Sequence, residues 1–539
     1  MRIFITFVFG LCLFSGIIEL FGQDTPQLNG NLQSLGSIFL RDAKIGAVNS
    51  PQYDRQLFGS ESWLELLYLY KGFEVGLRLD MFFQSNLLNP NDSYSDQGIG
   101  RWYIKKSIQK LSVSGGYLYH QIGSGIIFRS YEERHLLIDN ALYGLSLSWE
   151  LSPVWQLQGF VGKQKNLFST YNSLIKGASI DGFVESGIIR LAPGFGIVHK
   201  TLTDGQVDQL INTVKTYHPS DSIGLNYNGL ALSVYNTWSA GPAVLYTEAA
   251  FKQNDVYYDP DSERLLYSGS STLGKFRSAP GSVYYASISV GLKGFGVNFQ
   301  WKRTRNFVFR ADPFTALNEG QISYLPAMAR LKSYRLNGRY TPSTREISEN
   351  AIQLELRYSL SKKWKIIQYY SNITSGQGTL LYREFDNEIQ FNDPLKMFLS
   401  FGIQAQKYNQ EVFEGKAGVP ILKSFTPYAE LLYRITRKKS IRTEIQYLQT
   451  ENDFGSWLFA LLEYTVAPHW SFTISDMYNS GPVKTDDLHY PRVDVAYSKK
   501  ANRIILSYIK QVEGVVCVGG ICRLEPAFSG FKLVLFSTF

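Results

Sequence analysis

The chain ends on nine residues, Phe531-Lys-Leu-Val-Leu-Phe-Ser-Thr-Phe539, whose apolar side chains recur at every second position back from the final phenylalanine. Phe539, Leu535, Leu533 and Phe531 share one face, and only Ser537 interrupts the series. Successive side chains of a strand point to opposite faces, so the pattern describes a strand with one apolar wall that runs to the chain terminus. Such a strand suits the closing edge of a transmembrane barrel, where one face meets lipid and the other the lumen. It asks for an all-β fold in which the same alternation recurs many times.

It does recur. Val75, Leu77, Leu79, Met81 and Phe83 alternate with Glu74, Gly76, Arg78 and Asp80. Ile288, Val290 and Leu292 alternate with Ser287, Ser289 and Gly291, and after Lys293-Gly294 the residues Phe295, Val297, Phe299 and Trp301 alternate with Asn298 and Gln300. Each run is about ten residues, the length a tilted strand needs to cross the hydrocarbon. The turns are tight and often basic, as at Lys71-Gly72, Ser361-Lys362-Lys363 and Ser498-Lys499-Lys500, whereas the connections 408–424, 479–490 and 511–528 are longer and polar. The pattern predicts an all-β chain: a single antiparallel transmembrane β-barrel of about 18 to 22 strands, with short periplasmic turns and long extracellular loops.

Composition supports this class by exclusion. Beyond the N-terminus there is no run of about 18 apolar residues, so no helix is available to cross a membrane. Aromatic residues nevertheless reach 15%, with 35 Tyr and 35 Phe, at a mean hydropathy of −0.13. Aromatic girdles on half-polar strands account for both values. A large soluble all-β protein gives no reason for a terminal phenylalanine strand. At the other end, Arg2 precedes an apolar run over residues 3–18 and a small residue at Gly22, which predicts a secretory signal peptide at 1–22 and a barrel over 23–539.

Counting turns backwards from a periplasmic Phe539 places every tight turn as far as Asn350 on the periplasmic side. The parity then fails between 305 and 349, where 331–340 reads as one crossing. Either a second strand lies near 321–325, or this segment folds inward and does not cross.

Two segments resist alternation and are the candidate functional region. In the first, residues 119–140, Arg129, Glu132, Glu133, Arg134 and Asp139 are too densely charged for a lipid-crossing strand, and Gly123 and Gly125 permit a sharp departure of the chain. With Asn140 these residues are expected to line a constriction that selects solutes by charge, or else to brace the barrel as an internal salt-bridge lattice. In the second segment, 321–330, Pro326 rules out a regular central strand and suggests another inward turn.

On these two stretches, Gln121-Ile-Gly-Ser-Gly-Ile-Ile-Phe-Arg-Ser-Tyr-Glu-Glu-Arg134 with Asp139-Asn140-Ala141, and Ile322-Ser-Tyr-Leu-Pro-Ala-Met328, the chain resembles an uncharacterised family of Bacteroidota outer-membrane β-barrel proteins. Its organisation is also similar, more distantly, to that of porins. The terminal Phe539 resembles the sorting signal that outer-membrane barrels present to their insertion machinery. These resemblances imply location and fold, and name no substrate.

The remaining signals bound the chemistry. Cys12 leaves with the signal peptide, and Cys517 and Cys522 flank the turn signal Gly519-Gly520, which suggests a disulfide across a hairpin in the last extracellular loop. Two cysteines without a neighbouring histidine do not complete a metal site, so no metal or other cofactor is expected. The six histidines have no metal-ligand spacing, and no nucleophile elbow or phosphate loop is present, so no enzyme is expected. The net charge of +8 resides largely in turn lysines that suit phospholipid headgroups rather than nucleic acid. Expected partners are outer-membrane lipid and lipopolysaccharide, the insertion machinery, and other outer-membrane proteins. The leading expectation is a porin-like channel for small polar solutes; the alternative is a non-conducting accessory subunit of a larger outer-membrane complex.

Overall fold

The computed structural model describes residues 25–481, 488–518 and 520–539. The expected signal peptide at 1–22, with Cys12, lies outside them. Twenty-four antiparallel strands form a closed barrel. Each pairs with the barrel strands before and after it, and the circle closes where Gln27–Phe39 meets Phe528–Thr538, from Asn31 opposite Thr538 to Phe39 opposite Gly530. The expected fold class is therefore found, with more strands than the 18 to 22 read from the sequence. Strands such as Tyr94–Ile108 and Leu174–Gly182 carry no clear alternation. Their faces mix apolar, small and charged residues, and the first is bulged near Arg78 and Leu79 of its partner.

The wall is apolar outside and polar inside. Val234, Phe401, Ile445, Leu462 and Leu533 are exposed on the outer face, while Ser233, Glu384, Gln404 and Glu444 are buried on the inner one. Exposed aromatics gather beside the tight turns (Tyr68, Trp149, Trp238, Tyr358, Trp364, Trp470) and again near the loop end (Tyr143, Phe251, Phe385, Phe425, Phe531). Amphipathic rings favour the two interfaces of a bilayer, so this spacing marks an apolar belt between two girdles.

At the turn end, connections shrink to two residues, as at 71–72, 109–110, 241–242 and 293–294; at the loop end they extend over 119–141, 202–227 and 306–347. The parity break has a direct cause. Phe295–Arg305 pairs with Ser348–Ser359 along its whole length, so residues 306–347 leave and return at the loop end without crossing. Residues 331–340, which the sequence suggests as a crossing, contain no strand, and 321–325 contributes only an isolated bridge from Gln321 to Arg310. Two side chains of 331–340 face inward: Leu336 and Tyr340 are buried with Met328, Tyr382, Tyr408 and Trp457 in a core inside the lumen, while Leu331 is exposed.

The closing seam depends on one backbone position. Gly530 has φ 147°, and a Cβ built there would stand 1.9 Å from the carbonyl oxygen of Ile38 on the facing strand. A backbone oxygen in a ladder has nowhere to move. Gly530→Ala is therefore expected to destabilise the barrel by about 2 kcal/mol, read as a lower temperature for loss of the compact band on an SDS gel. At the opposite end of the seam, Phe539 exchanges two backbone hydrogen bonds with Gly30, at 2.7 and 2.9 Å, so the terminal residue is itself part of the seam.

In the last loop Gly514–Val518 pairs with Ile521–Glu525, which sets Cys517 directly opposite Cys522. The Cys517 side chain lies outside the described residues.

Candidate functional site: a charged septum in the lumen

The first inward segment folds as two small hairpins. Gln121–Ile122 pairs with Phe128–Arg129, and Glu132–Glu133 with Ile138–Asp139. The first turns at Gly123 and Gly125, with φ of 55° and 98°, and is held there by Glu248, which accepts from the Ser124 backbone at 3.0 Å. Ile122, Ile126, Ile127 and Phe128 then bury against Phe160, Val198 and Ile322 in a second luminal core. This hairpin is an anchor. The second turns through Arg134–Leu136 and carries the charges against the first wall strands.

Those charges meet Arg78. It lies on Phe73–Ser85 in phase with Glu74, Gly76 and Asp80, the inward set of that strand. Its Nε and Nη2 bind the two oxygens of Asp80 at 2.6 and 2.8 Å. Nη2 also reaches Asp139 at 2.6 Å, and Nη1 lies 2.7 Å from Glu132. A guanidinium offers its donors in a planar fork, and here every side of the fork faces a carboxylate. Asp139 further binds Lys165, and accepts from the Tyr119 hydroxyl at 2.9 Å. Arg134 bonds Glu132 at 2.7 Å, Glu65 at 3.0 Å and Gln33 at 3.1 Å, tying the hairpin to the first two wall strands. The lattice thus holds three cations and four carboxylates. Burial would raise Asp139, but Lys165 and Arg78 beside it hold it below the ordinary aspartate value; burial and the neighbouring Asp139 push Tyr119 well above the ordinary phenol value.

The lattice separates two hollows. On the loop side a cavity of about 660 Å³ has Arg78, Asp80, Glu132, Arg134, Asp139 and Lys165 among its lining residues, with Leu87–Asn91, Phe314–Gly320 and Cys522–Leu524 around it. On the turn side a cavity of about 250 Å³ is lined by Arg78 again, with Glu65, Arg101 and Tyr103. Arg101 and Tyr103 in turn border a third, of about 540 Å³, which reaches Lys105, Gln109 and Lys110 beside a tight turn. Arg101 is fixed between the rings of Tyr103 and Tyr119, at 4.5 and 4.3 Å from their centroids. The three cavities therefore adjoin one another: Arg78 is shared by the first and second, and Arg101 with Tyr103 by the second and third.

Of the residues singled out in the sequence, Glu132 and Asp139 converge on Arg78, Arg134 joins them through Glu132, and Asn140 borders the same cavity. Asn140 also links the two inward segments, donating to the carbonyls of Arg129 and Gln321. Arg129 and Glu133 are placed elsewhere. Arg129 lies over the rings of Tyr131 and Tyr324, at 4.9 and 4.1 Å, and clamps one inward segment to the other; Glu133 pairs through its backbone with Ile138. Pro326 turns the second segment, its carbonyl accepting from Lys302 at 2.5 Å. Sequence reasoning noted Arg78 and Asp80 as wall charges without joining them to this site, and it missed Lys165 and Arg101. The inward phase of Arg78 and Asp80 was the available signal for the first two; Lys165 and Arg101 lie on strands with no clean alternation.

A family of unknown function, DUF6029, matches this sequence over residues 1–374 and 365–539, which together span the whole chain. The protein belongs to this family. No curated protein matches it. Among solved structures, the DUF6029 chain is similar to the translocation pore of the P pilus usher PapC, at 10% identity over 95% of this chain and 99% of that one, with a TM-score of 0.42. It is similar also to the siderophore receptor PirA from Pseudomonas aeruginosa, at 9% identity over 96% and 81%, TM-score 0.40. The ferric citrate transporter FecA gives 9% identity over 97% and 79%, TM-score 0.40.

Proposed function

We propose that this DUF6029 protein is an outer-membrane channel for small polar solutes, exported by its 1–22 signal and inserted through the strand ending at Phe539. The observation that carries the reading is the group of three adjoining cavities inside the wall, which meet at the Arg78 lattice and at Arg101. The apolar belt between two aromatic girdles supports a membrane position, with the short turns periplasmic and lipid and lipopolysaccharide around the wall. Solutes enter the loop-side cavity, meet a septum carrying both signs of charge, and leave past Arg101. Fixed charges of both signs in a narrow passage favour small polar and zwitterionic solutes over apolar ones. The residues catalyse nothing in this reading; they select and obstruct.

Liposome swelling tests this. Vesicles containing the purified barrel are expected to swell in small amino acids and monosaccharides and not in large oligosaccharides. No swelling above protein-free vesicles, with the barrel shown to be folded, would sink the channel reading.

A second reading is favoured by one observation: much of the lumen is filled by two apolar cores built on Ile126, Phe128, Phe309, Ile322, Leu336 and Tyr340. A barrel so packed also suits a non-conducting subunit of a larger outer-membrane assembly, in which case stoichiometric partners should copurify in mild detergent. In either reading Cys517 and Cys522 form a disulfide that staples the last loop. Thiol labelling of unreduced protein is then expected to modify neither, and labelling of both would remove the bridge from the account.

A further inference from the structure

Strands Asn228–Ala240 and Ala243–Leu265 part company at the rim of the barrel. They pair from Ala240 opposite Ala243 up to Ala231 opposite Lys252, and no further. Beyond that point the second strand continues only with Ser271–Leu292, as a hairpin standing above the rim to Leu265 opposite Ser271. The first, at Asn228, stays paired with Thr201 on its other side. At the fork the register of the tall hairpin slips between Lys252 and Asp255. The slip leaves Lys252 and Asp255 buried and turns both Gln253 and Asn254 outward.

The fork is an open cleft of about 740 Å³, bordered by Leu225, Asn226, Tyr227, Asn228, Gln253, Asn254 and Pro280. It is built firmly. Lys200 and Asp255 pair beneath it at 2.8 Å, both buried, and the hairpin is braced by Asp221, which accepts from the Leu265 backbone at 2.8 Å, and by Tyr217, whose hydroxyl accepts from the Phe276 backbone at 3.0 Å.

Its chemistry is selective. Four primary amides line it, of which Asn226 already donates to the Asn254 backbone carbonyl at 3.5 Å and Asn228 already accepts from Thr201 at 3.1 Å; Leu225 and one half-exposed phenol ring offer apolar surface, and no charged side chain lines the cleft. An ionic ligand would find no counter-charge there. An apolar one would desolvate amides without replacing their hydrogen bonds. A saccharide answers both demands, with hydroxyls that donate and accept and a C–H face that stacks on a ring. The position agrees: Phe251 of the loop-end aromatic girdle points outward two residues before Gln253 on the same strand, so the cleft sits at the level of outer-leaflet headgroups.

We propose that this cleft is a binding site for neutral saccharide, with the amides of Asn226, Asn228, Gln253 and Asn254 bonding its hydroxyls and Tyr227 stacking on its ring face. The sugar comes from a glycolipid headgroup of the surrounding leaflet or from a free glycan; the first source rests on the outer-membrane reading, and the site itself does not rest on conduction.

The test uses the full chain in detergent with three probes: free neutral hexose oligosaccharide from a lipopolysaccharide core, the intact core-bearing lipopolysaccharide, and lipid A alone. Saturation-transfer NMR is expected to show contact with sugar protons, and Tyr227→Ala and Asn254→Ala are expected to weaken binding about tenfold each, the loss of roughly one good contact. Both residues are exposed, and a compact gel band verifies that each variant folds. Binding of the free oligosaccharide assigns the site to glycans at large, and binding only of the intact lipopolysaccharide assigns it to the headgroup. Absence of any sugar contact, affinities unchanged in both variants, or equal binding of lipid A would each overturn the proposal, while leaving the channel reading untouched.

Discussion

Replacing Arg78 with methionine is expected to open the septum: larger flux through the reconstituted barrel, with a shift toward cations. The direction follows from the lattice. Arg78 satisfies Asp80, Asp139 and Glu132 at once, and without it Lys165 and Arg134 face four carboxylates. The site then gains negative charge and loses the group that borders both cavities. Removing one partner from a buried ion cluster costs about 3–5 kcal/mol. The barrel ladder does not depend on that side chain, so the cost is expected to fall on the second hairpin, which loosens from the wall. Arg78→Lys, which keeps the charge without the fork, should lie between the two. Flux and selectivity identical to the native protein in Arg78→Met would place the barrier elsewhere.

The second large effect is expected at Lys332→Met. Segment 330–340 is fastened to the opposite wall by its cations: Lys332 binds Glu384 and, at 2.7 Å, Asp386, and Arg330 lies 3.4 Å from Asp386. Lys332, Glu384 and Asp386 are all buried, so losing the lysine strands two carboxylates in a poor solvent, at about 3–5 kcal/mol. Thermal stability is expected to fall and protease to cut within 330–340. The triple variant Lys332→Met, Glu384→Gln, Asp386→Asn should recover much of the loss, because neutral amides can still accept from Gln404 and Tyr428, which bond these two groups at 2.6 and 2.9 Å. Equal stability of the single variant and the native protein would mean that the apolar contacts of Leu336 and Tyr340 alone hold the segment.

The wall was legible in the sequence because period-two alternation is a local property: Val75 to Phe83 announces both its lipid face and the inward phase of Arg78. The lumen was legible only in part. Charge density correctly marked 119–140 as unfit for lipid. Density does not say which hairpin, or which face of a hairpin, carries the lattice, and so Arg129 of the first hairpin and Glu133, which alternates with Glu132 on the second, were grouped with Glu132, Arg134 and Asp139. The union of Arg78 with Asp139, sixty-one positions apart, is set by where a folded-in loop comes to rest, which no periodicity encodes. Residues 331–340 misled for the same reason. Their apolar spacing suits a strand, but Leu336 and Tyr340 meet an inner wall that supplies its own apolar residues, Tyr382, Tyr408 and Trp457.

The central claim, that solutes pass along the inner wall beside Arg78, is tested most directly by the current through single native barrels in planar bilayers. Discrete small-conductance steps, enlarged in Arg78→Met, are the predicted result. Folded protein that inserts and passes no current above bare lipid, in both the native and the Arg78→Met forms, would contradict it.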